Sequence, residues 1–366
     1  MQIFFRTDAS VQIGTGHVQR CLTLADALTR QGHECWFICR EHPGHLGDLI
    51  VSKGHNLTLL PASSDTPPQQ HRIASDDYAR WLGVPWQVDA NETLEAFSTL
   101  KPDWLVVDHY ALDAQWERTL SSAVSKIMVI DDLANRPHEC ALLLDQNLGR
   151  VAEDYDGLLP LECLRLVGPR YALLRPEFAE FREQSLIRRK PPKLKRILIS
   201  LGGVDCTNAT GQVLTALAQS SLPVGTELDI IMGATAPYLK EVRRQAAQLQ
   251  FTVRVSVDVQ DMAKRMFLAD LSIGAAGGTS WERSCLGLPA ILVVLAENQV
   301  SGAEALETAG AARTICEPSL IGEMLPSIFT ELSNSAYLMD MSNAAAFITD
   351  GNGVFKVVSI MSAIER

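Results

Sequence analysis

The sequence predicts an α/β protein built from two Rossmann-like domains that face a central cleft. Short apolar runs alternate with helical patterns, and this alternation restarts near residue 196, after a charged stretch that carries prolines. The length agrees, because 366 residues exceed what one core usually organises. We expect an N-terminal domain over 1–174, a linker over 175–195, a C-terminal domain over 196–345, and a C-terminal helix over 346–366 that could cross back.

The first half of the chain has the pattern of a parallel sheet. A strand (IFFR) is followed by a helix over residues 17–31 and by the strands ECWFICR and HNLTLL. Three later runs are apolar throughout and end in aspartate: DWLVVD (103–108), KIMVID (126–131) and ALLLD (141–145). Such runs are typical of strands that are buried on both faces of a parallel sheet.

The second half repeats this organisation. Its strands are predicted from the runs RILISLGG (196–203), ELDIIMG (227–233), ADLSIGAAGG (269–278) and PAILVVL (289–295), several of which end in glycine. The stretch between the halves is charged and poor in apolar runs, which is typical of a solvated linker.

Composition and charge exclude several classes of function. The net charge of −11 argues against nucleic acid as the main partner, since phosphate backbones need a basic face. No apolar stretch approaches the ~18 residues of a membrane span, and the N-terminus lacks a signal-peptide pattern. We therefore expect a cytoplasmic protein that needs no membrane partner and is most simply a monomer. The eight cysteines are scattered without a CxxC pair, so we expect reduced thiols and no metal site.

The first strand is followed by a glycine-rich turn that ends in Gly14-Thr15-Gly16-His17. Two glycines let backbone approach a ligand closely, and the start of a helix favours anions. A dinucleotide fingerprint needs a third glycine where Gln19 stands, so a NAD enzyme is disfavoured, although Glu41 after the second strand would fit one. At a helix start His17 is expected to be neutral, hence a competent general base. The alternative is a histidine that only packs or caps.

Polar residues follow three successive predicted strands. They are Asp108-His109-Tyr110, Asp131-Asp132 and Asp145-Gln146-Asn147. Each group alone could be an ordinary turn former or helix cap. Three groups that open on one side of a sheet favour a polar pocket that binds sugar hydroxyls or orients a base.

Two glycine-rich turns in the second half follow strands and precede helices. They are Ser200–Gly203 and Gly274–Ser280, and their N–H groups can hold a diphosphate without basic side chains. Thr279 and Ser280 add hydroxyl donors. Glu282 either accepts hydrogen bonds from a ribose or is only a favourable first-turn charge. The segment AENQ (296–299) ends the next strand and could face the same ligand.

These stretches together resemble a known family. The carriers are RTDASVQIGTGHVQRCLTLA, VVDHYALDAQWE, IDDLANRPHECALLLDQN, GPRYALLRPEF, ISLGGVD and GAAGGTSWERSCLGLPAILVVLAENQ. In this order, from residue 1 to about 300, they resemble the UDP-2,4-diacetamido-2,4,6-trideoxy-β-L-altropyranose hydrolases. The resemblance implies a GT-B-like fold, similar to that of the glycosyltransferase that makes lipid II. It also implies a place in the synthesis of pseudaminic acid, a sugar attached to flagellin.

The resemblance also implies a mechanism and a set of site residues. UDP leaves the anomeric carbon with inversion and without a metal or other cofactor, and His17 is the base; the only partner implied is the nucleotide-sugar substrate. The expected sugar-binding residues are Asp8, Gly14, Thr15, Gly16, Arg20, Tyr78, Asp108, His109 and Tyr110. The expected UDP-binding residues are Gly202, Gly203, Asp205, Gly277, Gly278, Thr279, Ser280, Glu282, Asn298 and Gln299.

Two other functions remain open from the sequence. The same fold could transfer the sugar to an acceptor, because a fold does not decide between acceptor and water. The chain could also bind a nucleotide sugar without turnover. Release of UDP in the absence of an acceptor separates these alternatives from a hydrolase.

Overall fold

The computed structural model describes residues 1–62 and 75–364 of the chain. The chain divides into two compact units, Met1–Leu173 with Gly353–Arg366, and Leu174–Asn352. Each unit holds one parallel β-sheet flanked by helices, which confirms the predicted α/β class with two Rossmann-like domains. Within the described ranges, no helix combines the length and the apolar character that spanning a bilayer requires.

The first unit is built on a seven-stranded parallel sheet. Its strands are β1 (Gln2–Thr7), β2 (Glu34–Arg40), β3 (Asn56–Leu60), β4 (Trp104–Asp108), β5 (Lys126–Ile130), β6 (Leu142–Asp145) and β7 (Leu164–Val167). Its first helices are α1 (Gly16–Arg30), α2 (Gly47–Ser52), α3 (Trp86–Ala96) and α4 (Ala114–Leu120). Every residue of β4 and β6 is buried, as continuous apolar runs predict.

The strand order places two loops of the first unit side by side. The order is β3-β2-β1-β4-β5-β6-β7, so the direction of winding reverses between β1 and β4. Thr7 pairs with Asp108 at the carboxyl ends of these two strands. Ligands of open α/β sheets bind at such a switch point, and His17 follows β1 there.

The second unit is built on a six-stranded parallel sheet. Its strands are β8 (Arg196–Ser200), β9 (Glu227–Met232), β10 (Thr252–Val257), β11 (Leu271–Ala275), β12 (Ala290–Val293) and β13 (Ala312–Ile315). Its helices are α5 (Pro176–Arg188), α6 (Ala209–Ala218), α7 (Leu239–Ala246), α8 (Met262–Leu268), α9 (Thr279–Cys285), α10 (Val300–Thr308), α11 (Ile321–Leu332) and α12 (Ser335–Ile348). The order β10-β9-β8-β11-β12-β13 reverses between β8 and β11, where Ser200 pairs with Gly274. Both glycine-rich turns therefore start at this switch point.

The segment expected to be a linker, 175–195, is instead mostly helix α5 and part of the second unit. Three of its arginines, Arg182, Arg188 and Arg189, donate hydrogen bonds to carbonyl groups at the ends of other helices. Arg182 binds the carbonyl oxygens of Cys285, Ala346 and Thr349 at 2.6–3.0 Å. A basic segment with few apolar residues can therefore be either a linker or a helix whose arginines bind carbonyl groups at the ends of neighbouring helices, and the sequence did not distinguish the two.

The expected C-terminal helix over 346–366 is also corrected. Helix α12 ends at Ile348, and a separate helix, α13 (Gly353–Ile364), belongs to the first unit. Its apolar face joins the core beside α1. Gly353 allows this close packing, since a Cβ there would lie 2.3 Å from the carbonyl oxygen of Ala172.

Candidate functional site

The loop after β1 holds His17 in the first turn of α1. Gly14 has a φ of +80°, which glycine adopts without strain, and its N–H donates to the carbonyl oxygen of Ser10 at 2.8 Å. Thr15 and Gly16 are exposed, whereas His17 is only 8% exposed. A Cβ on Gly14 or Gly16 would meet nothing within 4 Å, so space lies open beside this turn.

His17 is paired with a carboxylate at the end of β4. Its Nδ1 lies 2.6 Å from Oδ1 of Asp108, which is fully buried. Arg20, one helical turn after His17, donates from Nε to Oδ2 and from Nη2 to Oδ1 of Asp108, both at 2.7 Å. Burial alone would raise the pKa of Asp108, but the charge of Arg20 and the hydrogen bonds from Arg20 and His17 hold it far below its usual range.

This pairing sets the chemistry available to His17. An ionised carboxylate only accepts hydrogen bonds, so the imidazole proton lies on Nδ1 and the lone pair on Nε2. No protein hydrogen bond to Nε2 occurs among the described residues. The geometry is that of a base whose second nitrogen is held by a carboxylate.

Aromatic rings surround His17 on one side. The rings of Tyr110 and Trp81 both face the imidazole edge-on. Their centroids lie 4.6 Å and 6.2 Å from the imidazole centroid. Tyr78 contacts both of these rings, at 5.0 and 4.8 Å. The indole Nε1 of Trp81 is buried without a hydrogen-bond partner in the described part of the chain. We call Tyr78, Trp81 and Tyr110 the aromatic wall.

Arg20 links the aromatic wall and His17 to the end of the next strand, β5. It donates to both carboxylate oxygens of Asp132, at 3.0 and 2.8 Å, and Tyr110 donates its hydroxyl to the same residue at 2.7 Å. The amide of Asn147 also donates to Asp132, at 3.0 Å. Of the polar residues at the strand ends, Asp108, Asp132 and Asn147 thus belong to one hydrogen-bond network around Arg20.

The other two strand-end aspartates point into an internal network. Tyr155 donates its hydroxyl towards Asp131 at 3.0 Å and Asp145 at 2.9 Å. Burial and the nearby Asp132 raise the pKa of Asp145 to about 7, although Nε of Arg150 lies 3.2 Å from it. In contrast, the charge of Arg136, 2.7 Å away, overcomes burial and lowers the pKa of Asp131 to about 2.

Two expected sugar-binding residues, Asp8 and His109, lie beneath the surface. Asp8 is fully buried, 2.7 Å from Nη1 of Arg6, and accepts the N–H of Arg40 at 2.6 Å. His109, 3% exposed, places Nε2 3.4 Å from Asp8. Arg6 and Arg40 both donate further to Asp89. This arrangement makes Asp8 and His109 part of a buried charge network rather than an open binding surface.

The two glycine-rich turns of the second unit start side by side. Gly202 has a φ of +96° and is exposed together with Gly203. Gly278 and Thr279 are exposed, while Ser280 is buried. The amide of Gln299 lies 4.0 Å from an ideal Cβ on Gly277, and Asn298 is exposed.

Two acidic residues of the second unit have different places. Asp205, expected to bind UDP, instead accepts the N–H groups of Ala209 and Thr210 at 2.8 and 2.9 Å and caps α6. Glu282 has Arg175 at 3.8 Å, and burial raises its pKa. Among the described residues, no hydrogen bond to the carboxylate of Glu282 occurs.

Sequence reasoning missed Trp81, Arg136 and Tyr155. Trp81 lies in a short 3₁₀ segment, Ser75–Leu82. Tyr78, Trp81 and Leu82 have the spacing of one apolar face of a helical turn, which is the signal that could have placed Trp81 beside Tyr78.

Comparison with known proteins confirms the resemblance seen in the sequence. Residues 208–353 match the model of the glycosyltransferase family 28 C-terminal domain. The UDP-2,4-diacetamido-2,4,6-trideoxy-β-L-altropyranose hydrolase of Campylobacter jejuni is 28% identical over 267 residues, which cover 73% of this chain and 81% of that protein.

Glycosyltransferases are similar as well. The UDP-N-acetylglucosamine–N-acetylmuramyl-(pentapeptide) pyrophosphoryl-undecaprenol N-acetylglucosamine transferase of Acidithiobacillus ferrooxidans is 25% identical over 334 residues, 87% of this chain and 86% of that one. The crystal structure of Acinetobacter baumannii MurG aligns with a TM-score of 0.68 and 19% identity over 99% of both chains. The chain therefore has the GT-B fold, and its sequence resembles both the UDP-diacetamido-trideoxy-altropyranose hydrolases and the family 28 glycosyltransferases.

Proposed function

We propose that this chain is an enzyme that acts on a nucleotide sugar. Its specific reaction is hydrolysis of the anomeric C–O bond of UDP-2,4-diacetamido-2,4,6-trideoxy-β-L-altropyranose, which releases UDP and the free sugar. The hydrolase of Campylobacter jejuni supports this substrate. The observation that carries the chemistry is the 2.6 Å contact between His17 and Asp108. The reaction belongs to pseudaminic acid synthesis, in the cytoplasm.

His17 acts as the general base. Its Nε2 takes a proton from a water molecule on the face of the sugar opposite UDP. The water oxygen bonds to the anomeric carbon while the bond to the UDP oxygen breaks, and the electron pair leaves with UDP. Asp108 stabilises the imidazolium that forms, without taking its proton. Because UDP is a good leaving group, one base is sufficient and the two carboxylates of ordinary glycosidases are not needed.

The first unit binds the sugar in this proposal. The rings of Tyr78 and Tyr110 offer apolar faces to the acetamido methyl groups and to the deoxygenated carbon, which has lost a hydroxyl. The exposed residues Thr15 and Gly16, together with Arg20, offer hydrogen-bond donors at the same place. Asp8 and His109 contribute by holding the carboxyl ends of β1 and β4 together.

The second unit binds UDP in this proposal. Backbone N–H groups of the turns 202–203 and 277–279 hold the diphosphate, where negative charge grows as the bond breaks. Glu282 accepts hydrogen bonds from the ribose, and Asn298 and Gln299 border the same turn. No metal ion takes part in this scheme.

A glycosyltransferase is the second candidate. It is favoured by the family 28 match over 208–353 and by the transferase relative that aligns with 87% of this chain. The difference from a hydrolase is the nucleophile, a hydroxyl group of an acceptor instead of water. A protein that binds nucleotide sugars without turnover is the third.

The test is release of UDP by the purified protein from the diacetamido-trideoxy substrate, with EDTA present and no acceptor. We expect rapid release by the wild type, a decrease of at least ~10²-fold in His17→Ala, and little release from UDP-N-acetylglucosamine. Absence of release by the wild type would reject the hydrolase. Restoration of release by an added acceptor would then identify a transferase.

A further inference from the structure

Arg283 in α9 carries a buried positive charge without a carboxylate partner. Arg283 is only 2% exposed. Among the described residues, no carboxylate forms an ion pair with its guanidinium. Three other buried arginines differ in this respect. Arg6 and Arg40 bind Asp89, and Arg20, also largely buried, binds two carboxylates.

The guanidinium of Arg283 lies directly behind the glycine-rich turn that begins at Gly274. Its Nη2 donates to the carbonyl oxygen of Ala275 at 2.6 Å and to Oγ of Ser280 at 3.0 Å. Its Nη1 lies against Gly274, where an added Cβ would be 2.2 Å away. Nε has no partner in the described part of the chain. Arg283 thus ties together the two ends of the turn.

A buried charge is unfavourable unless an opposite charge lies close to it. The neighbouring Glu282 attracts Arg283, yet the two side chains form no ion pair. Burial lowers the pKa of Arg283 to about 10, so the group is still protonated at neutral pH. An anion on the outer side of the turn would offset this charge through a low-dielectric medium, where attraction is strong. A nucleoside diphosphate supplies such an anion.

Ser280 provides a direct route from Arg283 to that anion. Because its Oγ accepts a hydrogen bond from Arg283, its single hydroxyl proton remains available for an acceptor. A hydrogen bond from a cation also polarises the hydroxyl and strengthens it as a donor. The neighbouring N–H groups of the turn are fixed by the bond to Ala275.

We propose that Arg283 is the counter-charge for the diphosphate of a nucleotide bound at the 274–280 turn, and a positioning residue for that turn. This inference rests on the proposed function, in which this turn binds UDP. Arg283 does not touch the ligand, and its effect passes through Ala275 and Ser280. Arg283 should therefore increase the affinity for ligands that carry phosphate and leave the affinity for the nucleoside alone unchanged.

The chain offers a matched control in Arg189. This residue of the same unit is 5% exposed and also has no carboxylate bonded to it among the described residues. Its three nitrogens each donate to a backbone carbonyl, those of Leu286, Ala269 and Met266, at 2.8–3.0 Å. Replacing Arg189 therefore removes a buried arginine of purely structural role.

The experiment compares dissociation constants for UDP, by calorimetry, and for uridine, by ligand-observed NMR, on the full chain. We expect Arg283→Met to weaken UDP binding at least ~10-fold relative to uridine, whose affinity should change less than twofold. Arg283→Lys keeps the positive charge but loses the planar set of guanidinium N–H donors, so it should recover part of the UDP affinity. Arg189→Met should leave the UDP-to-uridine ratio as in the wild type. Arg283→Gln replaces Arg283→Met if the latter does not fold.

The outcomes separate the two claims. An unchanged UDP-to-uridine ratio in a folded Arg283→Met or Arg283→Gln protein would overturn the role of Arg283 alone. Equal losses of UDP and uridine affinity would do the same, because they indicate a general distortion of the site. If the wild type binds no UDP, the nucleotide site of the proposed function is itself wrong.

Discussion

His17 and Asp108 are 91 residues apart in the chain, yet Nδ1 of one lies 2.6 Å from Oδ1 of the other. The contact follows from the sheet, in which β1 and β4 are neighbours and Thr7 pairs with Asp108. The loop after β1 then carries His17 back over the end of β4. Arg20 fixes the carboxylate with two further bonds, so the His17 imidazole is held in one orientation.

Replacing Asp108 with Asn tests whether this contact orients His17 and stabilises its protonated form. Asparagine keeps the size but loses the negative charge that stabilises the imidazolium, so we expect kcat to fall by roughly 10²–10⁴. The KM should change much less, because Asp108 is buried behind His17. Asp113→Asn is the matched control, since Asp113 caps α4 and asparagine caps equally well. Equal kcat values for the two variants would contradict the assigned role.

Trp81 is expected to shape the sugar-binding side of the aromatic wall. Trp81→Leu removes a ring that stacks on Tyr110 at 5.5 Å, so we expect the KM for the diacetamido sugar to rise by about 10-fold. Inhibition by UDP should not change, since the nucleotide is assigned to the second unit. Trp81→Phe keeps an aromatic ring and should recover most of the loss. If Trp81→Leu had the same KM as the wild type, Trp81 would have no role in binding the sugar.

The low pKa of Asp131 predicts a pH-dependent contribution to stability. The folded pKa is about 2, against ~3.9 in an unfolded chain. The ionised carboxylate therefore stabilises the fold fully above pH ~4, and this contribution is lost as the pH falls towards 2. Asp131→Asn should lower the free energy of unfolding by about 2 kcal/mol at pH 7.

Urea unfolding of the wild type and of Asp131→Asn between pH 7 and pH 3 measures this effect. The difference between the two proteins should stay constant down to pH ~4 and then shrink. A difference that does not vary with pH would show that Asp131 acts through its shape and not through its charge.

Gly274→Ala tests the close packing beneath the glycine-rich turn. The added Cβ would lie 2.2 Å from Nη1 of Arg283 and 2.9 Å from the carbonyl oxygen of Ser200, which is backbone and cannot easily move. We expect a loss of about 1–3 kcal/mol in the free energy of unfolding, together with weaker UDP binding.

Gly302→Ala is the control for that substitution. Gly302 lies inside α10, and its Cβ would meet nothing within 4 Å. Alanine should therefore stabilise the chain, by up to about 1 kcal/mol. If both alanine variants were as stable as the wild type, the packing around Gly274 would be looser than described.

The sequence was sufficient to predict those parts of the molecule that local patterns encode. Alternating apolar runs and helical patterns predict two parallel sheets, and glycine followed by His17 or by Thr279 marks the turns at the switch points. These features depend on strand burial and backbone conformation, which leave a period or a glycine in the sequence.

Side-chain partners were harder to predict, because they depend on contacts across the sheet. Asp8, Asp108, Asp131 and Asp205 all follow strands, yet only Asp108 contacts His17, while Asp205 caps a helix. Arg182 belongs to a segment expected to be solvated, but its charge binds buried carbonyls. The spacing of Tyr78, Trp81 and Leu82 predicts an apolar face, but it does not indicate that this face lies beside His17.

The most direct test of the central claim is the fate of the water oxygen. The wild type would be incubated with the diacetamido-trideoxy substrate in H₂¹⁸O without an acceptor. The masses of the released UDP and sugar would then be measured by mass spectrometry. Attack of water on the anomeric carbon predicts UDP without ¹⁸O and, at early times, labelled sugar. Labelled UDP would place the attack on phosphorus, and absence of released UDP would mean that water is not the nucleophile; either result would contradict the account.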